Sequence, residues 1–311
     1  MGLMKLLSKH LGDRINQRWA WIAVLTALYL ALPCAPAYAR VFFPGVKPLA
    51  MGTAFVAVAD DCNAIQFNPA GIAQHELYWV DANYQRSEFL VPPLGGPDEF
   101  KEIWDIWHFS IVDSATTNPV AAGVSFTGID FPNHNFKENE DYRIYLATAG
   151  NFYDTFFFGV NYQYVKLKED EYALTGDVGM ILRPTPWIGV GLASHHILGP
   201  APKDDQPELY RDVVVGLAGH IMEYATITFD VTKDFDADAD KTFMFATGAE
   251  GVMFQRLALR GGYLWDEIQE LDFYSVGLGW YAETGTIGYT FRGNVERSRT
   301  FDHSIEISVQ F

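Results

Sequence analysis

From residue 76 to the end of the chain, apolar and polar positions alternate with a period of two, the signature of strands that show different faces to different surroundings. The final segment is the clearest. Phe301, His303, Ile305, Ile307, Val309 and Phe311 fall on one face, and Asp302, Ser304, Glu306, Ser308 and Gln310 on the other. The same pattern predicts about fourteen strands, at 76–89, 104–114, 118–129, 141–151, 154–168, 171–183, 186–197, 209–220, 222–235, 241–251, 254–266, 270–281, 283–294 and 299–311. Most are longer than the roughly 5–6 residues usual in globular sheets and match the about 9–11 needed by a tilted strand that crosses a bilayer.

The predicted connections alternate in length. Tight turns are expected at Asn118, Asn151 to Tyr153, Pro184 with Thr185, Ile221, Val252 with Met253, and Ala282. Longer loops are expected at 91–103, 131–141, 198–208, 236–240 and 294–298, where Asp98, Glu99, Glu102, Glu138, Glu140, Asp204, Asp205, Asp236 and Asp238 gather. Short turns on one rim and long polar loops on the other are the habit of a transmembrane antiparallel β-barrel, whose short-turn rim faces the periplasm.

The two faces fit that reading. Trp107, Phe109 and Ile111, or Ile227, Phe229 and Val231, would face lipid. Tyr78, Tyr84, Trp104, Trp187, Tyr263, Trp265 and Trp280 stand near strand ends, where aromatic girdles belong. The opposite faces carry Asp81, Asn83, Arg143, Asn161, Gln163, Asp177, Asp212, Arg256, Arg260 and Arg292, besides small residues such as Gly123, Gly191, Gly216 and Gly248. Charge that is costly toward lipid is tolerable toward a lumen. A secreted β-sandwich also alternates, but it has no use for so many lipid-type faces.

The first 39 residues read as a cleaved signal peptide (1–39). Lys5, Lys9, Arg14 and Arg18 precede the apolar run 20–33, and Ala37-Tyr38-Ala39 supplies small residues before a cleavage point. The alternative, an uncleaved anchor, is disfavoured by the short run and by Pro33 and Pro36. The whole chain carries 22 basic and 39 acidic residues, a net charge of −17. Cleavage would leave 18 basic and 38 acidic residues, a balance of −20. Such a chain has no general attraction to nucleic acid. Only Cys62 would survive of two cysteines, which excludes an intramolecular disulfide and a cysteine-based zinc site. Its acidic neighbours argue against a reactive thiol.

Residues 40–75 lack sustained alternation and precede the first predicted strand, so they suit an N-terminal plug or hatch inside a barrel at 76–311. Asn68 can cap a short helical turn, Pro69 suits its first position, Ala70 follows, and Gly71 can end it. The run from Gly52 to Asp61 (GTAFVAVADD), then Asn63-Ala64 and Phe67-Asn68-Pro69-Ala70-Gly71, resembles the FadL/TodX family of outer-membrane transporters for hydrophobic compounds and its PorV-like relatives. The matching run covers about thirty residues.

The resemblance implies a plugged fourteen-stranded barrel in the outer membrane of a Gram-negative bacterium. Transporter members admit an apolar ligand from outside and release it through an opening in the wall; PorV-like members scaffold protein secretion or surface attachment. The expected function is therefore passive transport of small hydrophobic molecules, fatty-acid- or hydrocarbon-like, with the scaffold as alternative. The loops here are shorter than those of family transporters, which favours the scaffold. Expected partners are membrane lipid and lipopolysaccharide, the hydrophobic ligand, and the barrel-assembly machinery, which would read the terminal Phe311.

Candidate working residues follow. Asp60 and Asp61 are expected to anchor the plug to inward Arg256, Arg260 or Arg292 by charge-assisted bonds, though Asp60 also suits a plain turn. Gly123 is a candidate wall kink, or else makes room for the plug. No cofactor, metal or enzymatic activity is expected. Asp234, Asp236, Asp238 and Asp240 alternate, but Ala239 and Phe245 stand where a calcium loop needs Gly and Glu. Adjacent His195 and His196 should point to opposite faces of a strand. Ser194 has no specified base to make it a hydrolase nucleophile.

Overall fold

The computed structural model describes residues 45–91, 100–116, 119–130, 141–166, 172–197, 211–222, 224–236, 241–268, 271–296 and 300–311. Residues 1–39, with the expected signal peptide, lie outside this set, as do Asn118 and most of the long loops with their acids.

Fourteen strands form: β1 (Tyr78–Val91), β2 (Phe100–Asp113), β3 (Val120–Asp130), β4 (Asp141–Phe152), β5 (Phe156–Lys166), β6 (Tyr172–Thr185), β7 (Ile188–His195), β8 (Asp212–Ile221), β9 (Ala225–Asp234), β10 (Phe243–Met253), β11 (Leu257–Asp266), β12 (Leu271–Ala282), β13 (Gly285–Asn294) and β14 (Phe301–Gln310). Each pairs antiparallel with its sequence neighbours, and β1 pairs with β14, so the sheet is a closed barrel without edges. Closure satisfies every ladder, the requirement for strands in hydrocarbon. At the seam the Phe311 N–H donates to the Tyr78 carbonyl (2.9 Å) and the Tyr78 N–H to the Phe311 carbonyl (3.2 Å).

The alternation sorts as the pattern requires. Leu146, Leu217, Ile227, Val276, Leu278, Ile287 and Ile307 are outward and more than half exposed. An apolar belt of this extent is far beyond what a water-soluble monomer shows. Trp265 and Trp280 are exposed near the ends of their strands, and Trp187 is exposed in the turn before Ile188. Among the described residues no helix is long and apolar enough to cross a membrane; strands are the elements suited to do so.

Five tight turns deviate from their expected positions, the first lying at Tyr153 to Thr155 rather than at Asn151 to Tyr153. Chain reversal falls after Ile221, at 254–256 rather than at Val252 with Met253, and at 283–284 rather than at Ala282. β6 continues through Pro184 and Thr185, with a register shift between Leu182 and Thr185, and turns at Pro186 and Trp187. Tyr153, Asp154, Met222, Phe254 and Gln255 adopt positive φ. Left-handed pairs suit the twist of a hairpin, but Gly and Asn are the residues that announce them. Here exposed aromatics occupy the turns, a placement suited to a membrane interface, with Tyr153 96% and Phe254 89% exposed.

Residues 45–77 precede the barrel. They hold a short helix α1 (Val46–Ala50), a shorter α2 (Ala64–Phe67) and a 3₁₀ turn (Pro69–Ala73). Nearly every residue from Gly45 to Ala73 is buried, although the segment is too small to form a core alone. Its burial comes from the inner faces of the strands.

Candidate functional site

The N-terminal segment follows the inner wall around the barrel. Val46 begins it between β13 and β14: its N–H donates to Glu306 Oε2 (3.1 Å) and its carbonyl accepts from Thr290 Oγ1 (2.7 Å). The chain then passes β12 to β7. Midway, the N–H groups of Phe55 and Val56 both donate to Asp230 Oδ2 on β9, at 2.8 and 2.9 Å. Beyond residue 59 it covers the other half. Asn161 on β5 donates to the Ile65 carbonyl (2.6 Å), Gln66 Nε2 lies 3.0 Å from His108 Nδ1 and 3.2 Å from Thr127 Oγ1, and His195 Nε2 lies 3.1 Å from the Phe67 carbonyl. Backbone groups with no secondary structure of their own thus find partners on the wall.

Glycine makes the approach possible. Three cross-strand pairs, Gly159 with Gly179, Gly191 with Gly216, and Gly248 with Gly262, lie on the inner face in direct register. On each pair rests backbone of the segment. A Cβ at Gly191 would stand 2.3 Å from the Val56 carbonyl oxygen, one at Gly159 2.3 Å from the Pro69 carbonyl carbon, and one at Gly262 2.1 Å from the Gly52 nitrogen. Gly52 itself has φ +64 and faces the backbone of Tyr263, so it needs both freedoms that only glycine has.

Asn68 ties the segment together. Its Oδ1 accepts from the Ala70 N–H (3.2 Å), capping the 3₁₀ turn, while its Nδ2 donates to the carbonyls of Val56 (2.9 Å) and Met180 (3.1 Å). Pro69 holds the first position of that turn. Gly71 lies inside it rather than ending it; the turn runs on to Ala73. The reason for glycine at 71 is proximity, since a Cβ would meet the Ala59 carbonyl oxygen at 2.0 Å.

The charged residues pair differently from expectation. Asp60 is bound by Lys47 of the same segment (2.8 Å), and not by a barrel arginine. Lys47 also lies 3.5 Å from Glu250, so the ammonium is the link from segment to wall. Arg260 is inward and buried, but its guanidinium is committed to Glu250 (2.6 Å) and to the Tyr281 hydroxyl (2.8 Å). Arg292 is committed to Asp302 (2.5 Å). Arg256 sits exposed in the turn between β10 and β11 and does not face the lumen. The inward arginines find carboxylates on neighbouring strands, which cost less ordering than a reach to the segment. Asp61 accepts from the Asn63 N–H (2.8 Å).

Burial works against ionisation of Asp60, but the Lys47 charge and hydrogen bond prevail and hold its carboxyl at about 2. Asp61 lacks such a partner. Burial, then the charges of Glu306 and Asp60, push it up to about 8. Cys62 is buried, and burial followed by the charges of Asp81 and Asp61 raises its thiol well above the ordinary range. Such a thiol is inert while the segment is docked.

Two further expectations change. His195 and His196 do not point to opposite faces; both are buried. His196 has φ +56, which breaks the alternation just after β7 and returns its side chain inward. His195 Nδ1 pairs with Asp212 (2.6 Å). Asp236, expected in a solvated acidic loop, is buried and bound to the Arg211 guanidinium (2.5 Å). Gly123 lies in ladders to Val112 and Ala147 without a register shift, and a Cβ there would stand 2.9 Å from Ile65 Cδ1. The wall is continuous at this glycine, and its smallness serves the segment. Among the described residues no group of His, Cys, Asp and Glu has the arrangement to hold a metal.

Sequence reading missed Asp230, Glu306, Lys47 and Glu250 as anchors. The signal for the first two was an acid on an inward face, which the alternation already contained.

A closed fourteen-stranded barrel has counterparts among solved structures. The fold is that of the TodX and FadL-type channels. The Pseudomonas putida toluene transporter TodX superposes with a TM-score of 0.62 at 12% identity, over 86% of this chain and 98% of that one. A Pseudomonas aeruginosa FadL homologue gives 0.60 at 12%, over 89% and 99%. The Ralstonia pickettii toluene transporter TbuX gives 0.59 at 12%, over 86% and 98%. No family model and no curated protein matches the sequence.

Proposed function

We propose that this protein is an outer-membrane channel for small hydrophobic molecules, exported by a signal peptide at residues 1–39 and closed at rest by residues 40–75 acting as a plug. The observation that carries the reading is the segment itself: it is hydrogen-bonded to the inner wall around the barrel, on a track of glycines, in a fold shared with barrels described as toluene transporters. A segment held by discrete bonds to a rigid wall has a docked state and a released one, and such a two-state element is what a gate requires. Phe311 at the seam would be the residue read by the assembly machinery, and the apolar belt would meet lipid and lipopolysaccharide.

The test is uptake of a labelled long-chain fatty acid and of a monoaromatic hydrocarbon by an outer-membrane strain that lacks its own FadL-type transporter, after a heat-dependent gel shift shows folded barrel. Uptake above the empty-vector control supports the channel. Folded, correctly located protein with no uptake removes it.

A second reading, a barrel that scaffolds secretion or surface attachment, draws on a different observation. The described inward residues beyond the segment are mixed: Gln85, Ser87, Arg292 and Asp302 are buried there beside Ile106, Ile129, Val165, Leu264 and Phe273. A site for an apolar ligand is lined mainly by apolar groups. Cross-linking to protein partners distinguishes this reading, since a transport channel needs none.

A further inference from the structure

The outward face of the barrel changes character at the rim opposite the tight turns. The β4–β5 and β8–β9 hairpins turn at 153–155 and 222–224, so the other ends of these strands stand on the rim of the longer connections. There Lys166 closes β5, and Lys233 stands one residue from the end of β9. Both lie in phase with outward residues, Lys166 with exposed Tyr162 and Lys233 with exposed Ile227 and Phe229. In a chain of 39 acidic and 22 basic residues, acids are plentiful. Arg86, outward on β1 near the same rim, is paired with Asp105 and Glu88. Lys166 and Lys233 have no carboxylate partner among the described residues, and each ammonium faces aromatic rings instead.

The surroundings of the two lysines repeat. Lys166 stands between its cross-strand partners Tyr142 and Tyr172, with Nζ 5.7 Å from the centre of the Tyr142 ring. One row deeper, Tyr164 lies between Ile144 and Leu174, its ring centre 6.0 Å from Tyr142 and 5.9 Å from Tyr172. Lys233 stands between Val213 and Phe243, with Nζ 5.5 Å from the Phe243 ring centre and 5.8 Å from that of Phe235. One row deeper, Phe245 continues the surface, its ring centre 6.2 Å from Phe243 and 5.9 Å from Trp265. Each lysine is thus an unpaired cation at the waterward edge of an aromatic and apolar surface. Four strand spacings of about 4.8 Å separate them, on the order of 20 Å along the wall, so they are two sites.

We infer that Lys166 and Lys233 each bind a phosphate of the phosphorylated glycolipid that forms the outer leaflet, and hold that lipid against the barrel wall. A lysine at this depth lays its stem on apolar surface and extends its ammonium into the head-group layer. The anion that answers it there is a phosphate carried by a lipid, whose acyl chains cover the rows beneath. A soluble anion would leave those rows uncovered. At the first site the Tyr142 and Tyr172 hydroxyls add partners for sugar hydroxyls. The inference rests on the outer-membrane placement in the proposed function and not on transport.

The experiment titrates the full folded chain, freed of co-purified lipid in a neutral detergent, and counts bound lipid by native mass spectrometry. The probes are a bisphosphorylated hexa-acyl lipid A, the same lipid without its phosphates, and phosphatidylglycerol. Lipid A is expected to saturate at two molecules per barrel. It should bind at least about tenfold more tightly than the dephosphorylated form, the minimum for one charge-assisted contact. Lys166→Gln should bring one of the two sites to the level of the dephosphorylated lipid, and Lys233→Gln the other, whereas Lys166→Arg should keep both. Tyr142→Leu should weaken the Lys166 site alone. A heat-dependent gel shift checks that each variant is folded. Equal binding of the two forms of lipid A, or undiminished binding by the folded double variant, overturns the sites. Phosphatidylglycerol bound as tightly as lipid A through both lysines overturns the glycolipid assignment. Lipid A bound through both lysines without hydrocarbon uptake removes the channel and keeps the sites; uptake without a preference for phosphorylated lipid does the reverse.

Discussion

Asp230 offers the sharpest test of the plug. One carboxylate oxygen accepts two N–H groups of the segment, from Phe55 at 2.8 Å and Val56 at 2.9 Å. Both donors are buried and lie near the middle of the segment. Asp230→Ala deletes both bonds and leaves two amides without a partner. Hydrogen bonds to a charged group contribute about 1.5–3 kcal/mol each, so the lower bound for the pair is about 3 kcal/mol. At 1.4 kcal/mol per factor of ten, the released state should become about a hundredfold more populated. Cys62 supplies the readout, because docking buries it and burial raises its thiol above the ordinary range. In a chain with Cys34 replaced by serine, thiol labelling of folded Asp230→Ala should run about a hundredfold faster than in the parent if opening limits the reaction. Ion conductance in a planar bilayer should rise in parallel. Asp230→Asn keeps an acceptor and should fall between. Unchanged labelling together with unchanged conductance in folded Asp230→Ala would refute the idea that this carboxylate holds the plug.

Other outcomes follow from the same geometry. Gly191→Ala and Gly262→Ala place a Cβ against segment backbone and should raise Cys62 labelling and lower thermal stability, whereas Gly219→Ala and Gly251→Ala, with nothing within 4 Å, should leave both unchanged. The docked Asp61 carboxyl, at about 8, sits above its ordinary value of 3.8, so the docked state binds the extra proton; docking should weaken as pH rises from about 4 to about 8 and level off above, and Asp61→Asn should flatten that profile of labelling rate against pH. Asp60 works in the other direction, losing its pairing with Lys47 only as pH falls toward about 2. Lys47→Met leaves Asp60 without its partner and cuts the link to Glu250, and should raise conductance more than Asp60→Ala, which leaves Lys47 its contact with Glu250.

Much of the architecture was legible because a barrel strand is a local object. Each of β1 to β14 is written in its own alternation, and a period of two survives any error in the neighbours. The apolar belt and the inward position of Asp81, Arg143, Asn161, Asp177 and Arg260 follow from that pattern alone. The described residues before β1, 45–77, lack that alternation, and Asn68 with Pro69 carry legible cap chemistry.

The tertiary structure decided everything that depends on which inward residue meets which. Asp60 found Lys47 rather than an arginine because Lys47 lies in the same segment, while Arg260 and Arg292 had acids on adjacent strands at 2.6 and 2.5 Å. Arg256 left the lumen because the turn fell at 254–256, made by Phe254 and Gln255 in a left-handed conformation that their residue types do not announce. His196 turned inward through a single positive φ. The glycines of the wall read as mere small residues until the segment lay on them, because a glycine records the absence of a side chain and not the backbone that requires the space.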